Sequence, residues 1–272
     1  MAVRTDLAVE AKQLWEQSAE ETTKADGVRA VSRGSVTEVE ILDESGARAL
    51  GKPIGRYLTL ELPKYTADVK GCARQLAQEL DAFLGLRSRE RVLVVGLGNR
   101  AITPDALGPE TVDRLFLTRH LIEQLPKQFG SCRSVSAICP GVLATTGIET
   151  LETVRGVVRS VEPQCVICID ALAAGSVGRL CRTVQITDSG IAPGSGVGNC
   201  RAAFSEKSLG LPVFSLGVPT VVDAAEEAAC FVTPRDIDAQ IRFLGSVLAG
   251  GLNLVLHPEF DYDDFAQFAV FR

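Results

Sequence analysis

The chain has 272 residues, 46% of them hydrophobic, and a formal net charge of −6. That length and apolar content bury a full core, which excludes a disordered chain and favours one large α/β domain. The negative balance excludes the broad basic surface that direct nucleic-acid binding requires.

The N-terminus, Met1 to Asp6, lacks the apolar core of a signal peptide, and the apolar stretch from Phe243 to Leu256 is broken by glycines and reads as too short to span a bilayer. Eight cysteines are present, several inside apolar runs such as Cys165 to Cys168 and Ser136 to Cys139, where cysteine behaves as a small buried hydrophobe. A reduced, cytoplasmic chain without a membrane partner is expected.

In chain order, residues from about Thr5 to Lys24 carry helix formers. Ser35 to Leu42 and Arg56 to Leu62 then alternate with the period of two expected for half-exposed strands, giving an antiparallel edge element at about residues 35–62. From Gly71 the pattern becomes helix, continuous apolar strand, helix, as in a mostly parallel twisted sheet covered by helices on both faces. The buried strands are Arg91 to Val95, Ser134 to Ile138, Cys165 to Ile169, Thr183 to Thr187 and Pro212 to Leu216. Helices are expected over Pro109 to Gln124, Ile148 to Val161 and Pro234 to Leu248. With no internal repeat or long linker, residues 1–272 read as one α/β domain.

Ligands of open α/β sheets bind beyond the carboxyl ends of the strands. The loop after the first core strand, Gly96 to Pro109, contains Asp105, and the apolar run ending at Ile169 is followed by Asp170. Two carboxylates at neighbouring strand ends can split their pKa values by repulsion and burial, leaving one as a base for water and the other as a proton donor. Taken singly, each Asp reads better as a helix N-cap, a common role for Asp at a strand-to-helix junction. Gly96 and Gly98 follow a strand, but Ala101 stands where the third glycine of a dinucleotide fingerprint belongs. The segment Asp188 to Asn199 is rich enough in glycine for backbone N–H groups to converge on an anion or a substrate backbone, or simply to make a tight loop. Gly98, Asn99, Gly194, Ser195, Gly196, Gly198 and Asn199 are therefore candidates for substrate binding or an oxyanion hole.

Cys165 and Cys168 stand three apart on a strand, so they point to opposite faces and do not make a joint metal site. The two histidines, His120 on a helix surface and His257 before Pro258, leave few candidates for a Cys–His or Ser–His unit and favour carboxylate chemistry by elimination. No metal or cofactor is expected.

Val92 to Asn99, Thr103 to Pro109, Leu117 to His120, Pro140 to Leu143, Thr146 to Thr150, Ile169 to Ala173, Pro193 to Asn199 and Gly217 to Asp223 resemble, in order, the germination protease family of spore-forming bacteria. The resemblance implies an atypical aspartic endopeptidase that degrades the small acid-soluble proteins of spore DNA, made as a zymogen in the forespore and assembled as a homotetramer. By motif it implies Asp105 and Asp170 as the catalytic pair. Val3 to Ala11 is also similar to the family's processing region, which implies self-cleavage within Thr5, Asp6, Leu7, Ala8, Val9 and Glu10, with a short pro-segment at about residues 1–10. A neighbouring class, the hydrogenase maturation endopeptidases, shares the strand, Gly-x-Gly-Asn loop and second strand-end acid, and uses bound nickel. It stands second because such a site wants a histidine ligand. An inert binding protein that holds an anion on the glycine loop is the third reading.

Overall fold

The computed structural model describes residues 5–18, 26–63, 68–198, 201–223 and 230–267. Helix α1 (Ala8–Ser18) leads into β1 (Val28–Arg33) and β2 (Val36–Ile41). Helix α2 (Glu44–Leu50) starts at Asp43, whose carboxylate accepts from the N–H groups of Ser45 and Gly46, and stops at Gly51, whose φ of 61° ends the helix in the left-handed region. Strand β3 (Gly55–Glu61) follows. Helix α3 (Val69–Leu84) is capped by Asp68 and Gly85 and buries Cys72, Leu76, Leu80 and Phe83, a stripe at helical spacing.

The core half begins with β4 (Val92–Gly96), followed by α4 (Leu107–Val112), α5 (Arg119–Gln124), α6 (Pro126–Phe129), β5 (Val135–Ile138), α7 (Leu143–Thr146) and α8 (Thr150–Val161). Then come β6 (Cys165–Ala174), β7 (Thr183–Thr187), α9 (Glu206–Leu209), β8 (Val213–Asp223), β9 (Phe231–Val232), α10 (Ile237–Leu256) and α11 (Asp264–Gln267). The strands form one mixed sheet in the order β1-β2-β3-β7-β8-β6-β4-β5, with β9 beside the far end of β8. Strands β8, β6, β4 and β5 are parallel, whereas β1, β2, β3 and β7 extend the sheet antiparallel. One apolar cluster lies between the sheet and α3, α4 and α10, and a second lies under α8 on the other face. Cys165 belongs to the first cluster and Cys168 to the second, as a strand's alternation demands.

Four sequence expectations are revised. The antiparallel element gains β1, whose five C-terminal residues are all exposed and so carry no apolar alternation. Strand β6 runs past Ile169 to Ala174 because β8 continues beside it, with a register shift between Leu172 and Ala173. The helix expected over Pro109 to Gln124 is two helices, interrupted where the Phe116 N–H donates to the Asn253 side chain (2.9 Å) and Phe116 is buried. Helix α10 is 20 residues, not the short apolar stretch expected. It is long and apolar enough to cross a membrane, yet 72% of its apolar window is buried inside the protein.

Candidate active site

The chain leaves β4 toward β5 on one side and leaves β6 toward β7 and β8 on the other, so neighbouring β4 and β6 form the sheet's switch point, the place where open α/β sheets bind ligands. Asp105 and Asp170 come from these two strands. The loop after β4 is drawn over β6 by a hydrogen bond from the Leu97 N–H to the Ile169 carbonyl (2.8 Å). It then turns through Gly98 at φ 105°, where a Cβ would lie 2.0 Å from the Asp105 carbonyl oxygen. Only glycine permits that approach. The Asn99 N–H donates to the Asp105 carboxylate (2.9 Å), at the end of a 3₁₀ turn over Thr103–Asp105.

Neither aspartate caps a helix. The residue before α4 is Ala106, without a side-chain cap bond, and Asp170 lies inside β6, 5% exposed. Burial raises the Asp105 carboxyl above its ordinary range, partly offset by the Asn99 N–H, which favours the ionised form. Burial pushes Asp170 well above the usual carboxylate range, and the negative charges of Asp105 and then Asp6 add to it. Asp105 and Asp6 thus both lie within electrostatic reach of the buried Asp170.

Asp6 belongs to the segment expected to carry self-cleavage. Its N–H donates to the Ala173 carbonyl (2.9 Å) on β6, while its carboxylate accepts from the Ala173 N–H (2.9 Å) and the Ser195 hydroxyl (2.8 Å). Leu7, Ala8, Val9 and Glu10 are buried. Glu10 accepts from the Thr5 hydroxyl and from the Gly175 N–H (2.7 Å), and its other oxygen faces Arg179 at 3.7 Å. A cavity of about 250 Å³ opens beside this segment, walled in part by Asp6, Lys52, Gln185, Ser195, Ser215 and Gly217. Gly217 is the β8 neighbour of Asp170, so the cavity reaches the strand position beside Asp170.

In the glycine loop, consecutive turns use the N–H groups of Ser195, Val197 and Gly198 internally. What the loop offers is the Ser195 hydroxyl and the bare backbone of Gly196, where a Cβ would lie 2.1 Å from the Asp6 carboxylate. Gly194 and Gly198 hold the turns at φ 75° and 73°. Asn199 lies outside the described residues. The Asn99 N–H serves Asp105. His120 is exposed on α5, and His257 is fully buried at the end of α10, its Nε2 within 2.9 Å of the Phe116 carbonyl. Burial lowers His257 to about 4.

Comparison with known proteins gives the family. The peptidase family A25 model, described as "Germination protease", matches residues 6–229. The chain belongs to the germination protease family. A germination protease of Clostridium perfringens is 38% identical over 322 aligned positions, which cover 98% of each chain. That of Caldanaerobacter subterraneus is 40% identical, with 95% of each covered, and that of a Geobacillus species 42% identical, with 92% of this chain and 70% of its own length covered. Among solved structures, a nickel–iron hydrogenase maturation protease from Thermococcus kodakarensis is similar over 60% of this chain and 92% of its own, at 17% identity and a TM-score of 0.36. Germination proteases are endopeptidases, so the chain is a hydrolase of peptide bonds.

Proposed function

We propose that this germination protease cuts small acid-soluble spore proteins with a water activated between Asp105 and Asp170, without a metal. The supporting observation is that two carboxyl groups at the sheet's switch point both titrate above the ordinary range, Asp170 in part because of the Asp105 charge. Their environments suggest the roles. Asp105 is half-exposed and receives an N–H bond that favours its anion, so it is the base. Asp170 is buried beside that negative charge and keeps its proton, so it is the acid.

Asp105 takes a proton from water as the oxygen attacks the peptide carbonyl carbon. The C–N bond breaks as Asp170 delivers its proton to the leaving nitrogen. A proton passing from Asp105 to Asp170 through a second water restores the starting state. Self-cleavage within Thr5 to Glu10 follows from the same chemistry, because Asp6 lies within electrostatic reach of Asp170. Burial of Leu7 to Glu10 requires the segment to lift before it is cut.

The test is digestion of a purified small acid-soluble spore protein with and without exhaustive chelation, with N-terminal sequencing of the enzyme after mildly acidic incubation. Cleavage that survives chelation, with a new N-terminus between Thr5 and Glu10, is expected. Activity lost on chelation and restored by nickel would favour the hydrogenase-maturation type of chemistry.

A further inference from the structure

Four main-chain polar groups of residues 5–8 are held by β6, β7 and the loop after α2 through contacts that ignore side-chain identity, while the Leu7 N–H turns back to the Thr5 hydroxyl. The Lys52 ammonium donates to the Thr5 carbonyl (2.8 Å), and the Asp6 N–H donates to the Ala173 carbonyl (2.9 Å). Gln185 acts as a detached peptide unit. Its amide nitrogen donates to the Asp6 carbonyl (3.2 Å), and its amide oxygen accepts from the Ala8 N–H (2.8 Å). A largely buried cation, and an amide set into an apolar strand, are costly there unless they meet a partner. Gln185 is 6% exposed, and burial lowers the Lys52 ammonium pKa against the opposing pull of Asp6 and Glu10.

Lys52 reaches the site because left-handed Gly51 ends α2 immediately before it. No carboxylate lies within ion-pair distance of Lys52 among the described residues, and the ammonium is spent on a peptide carbonyl instead. The Ser215 hydroxyl, 2% exposed and without a hydrogen-bond partner among the described residues, belongs to a residue that lines the same cavity. This arrangement reads peptide backbone, as a sheet edge does when it binds an extended segment.

We propose that Lys52 and Gln185 form a main-chain clamp that positions a bound peptide substrate beside Asp170, with Thr5 to Ala8 of this chain as its resident occupant. The inference rests on the endopeptidase reading of this site. Lys52 is a positioning residue. It carries no proton in the reaction, and its loss weakens substrate binding rather than the chemical step.

Substrate competes with the resident segment for the clamp, so a weaker clamp loosens both. The kinetic comparison is therefore made in full-length chain carrying Asp6→Ala, which removes the bonds from Ala173 and Ser195 that only the resident side chain makes. In that background Lys52→Met raises KM for a small acid-soluble spore protein tenfold or more with kcat within threefold, and Lys52→Arg stays within threefold of the parent KM. Separately, Lys52→Met and Gln185→Leu in the otherwise unchanged chain accelerate hydrogen exchange of the Asp6 amide at least tenfold, a readout that needs no catalysis.

Faster exchange with unchanged KM overturns the proposal, leaving an anchor for the chain's own segment. A fall in kcat at constant KM overturns it too, as do unchanged exchange and KM. If Lys52→Met does not fold, Gln185→Leu is read by the same criteria. Should Asp105→Asn and Asp170→Asn both retain full activity, the two-aspartate mechanism falls, while the KM and exchange results still decide the clamp.

Discussion

Replacing Asp170 by Asn should make the protein more stable at neutral pH while abolishing its activity. Asp170 is 5% exposed and its folded carboxyl titrates well above the ordinary range because of burial and the charges of Asp105 and Asp6. Below the unfolded pKa, near 3.9, the group is protonated in both states and costs nothing. As pH rises toward the folded pKa, the unfolded chain releases the proton and the folded chain keeps it. Stability therefore falls by about 1.4 kcal/mol for each pH unit in that window. Asn cannot ionise, so the slope disappears, and the unmet hydrogen bonds of its amide return about 1–3 kcal/mol at most. Urea denaturation of wild type and Asp170→Asn at pH 4, 5.5 and 7 measures the difference. The variant's advantage should grow steadily with pH. Parallel pH dependence in the two proteins would show that Asp170 is not held protonated by its surroundings.

Gly98→Ala drives a methyl into the Asp105 backbone at a φ of 105°. It should lower kcat/KM about 100-fold by misplacing the base, at a stability cost of about 1–3 kcal/mol, read by steady-state kinetics and thermal melting. His257 is buried and titrates near 4 in the folded state. Its folded pKa is depressed, so the stability it contributes is present above about 6.5 and is lost as pH falls toward 4, about 3 kcal/mol in all. His257→Gln should flatten that loss in urea titrations between pH 7 and 4.5. Cleavage of a small acid-soluble spore protein should persist after exhaustive dialysis against chelator, within twofold of the untreated rate.

Buried parallel strands announce themselves as unbroken apolar runs, so Val92 to Val95 and Cys165 to Ile169 were legible, and with them the loop that carries Asp105; Asp170, expected just past the end of its strand, lies inside β6 instead. The continuation of β6 was not, because Asp170 interrupts the apolar run and the pairing that extends the strand comes from β8, more than forty positions away in sequence. Strand β1 escaped for the opposite reason, since a strand exposed on both faces has no alternation to read. At the site, the third carboxylate and the clamp were hidden by distance along the chain. Asp6 meets Ala173, and Lys52 meets Thr5, only through the fold. Gln185 carried a readable signal, an amide in the middle of the apolar strand Thr183–Thr187, where an unpaired polar group would be costly.

The pH dependence of kcat/KM on a small acid-soluble spore protein, in wild type, Asp105→Asn and Asp170→Asn, tests the two-carboxylate mechanism most directly. A bell is predicted for wild type, with an acid limb from protonation of Asp105 and an alkaline limb from ionisation of Asp170. Each variant should lose about 1,000-fold or more at the optimum while remaining folded. Full activity in either variant, or an unchanged bell in both, would contradict the mechanism.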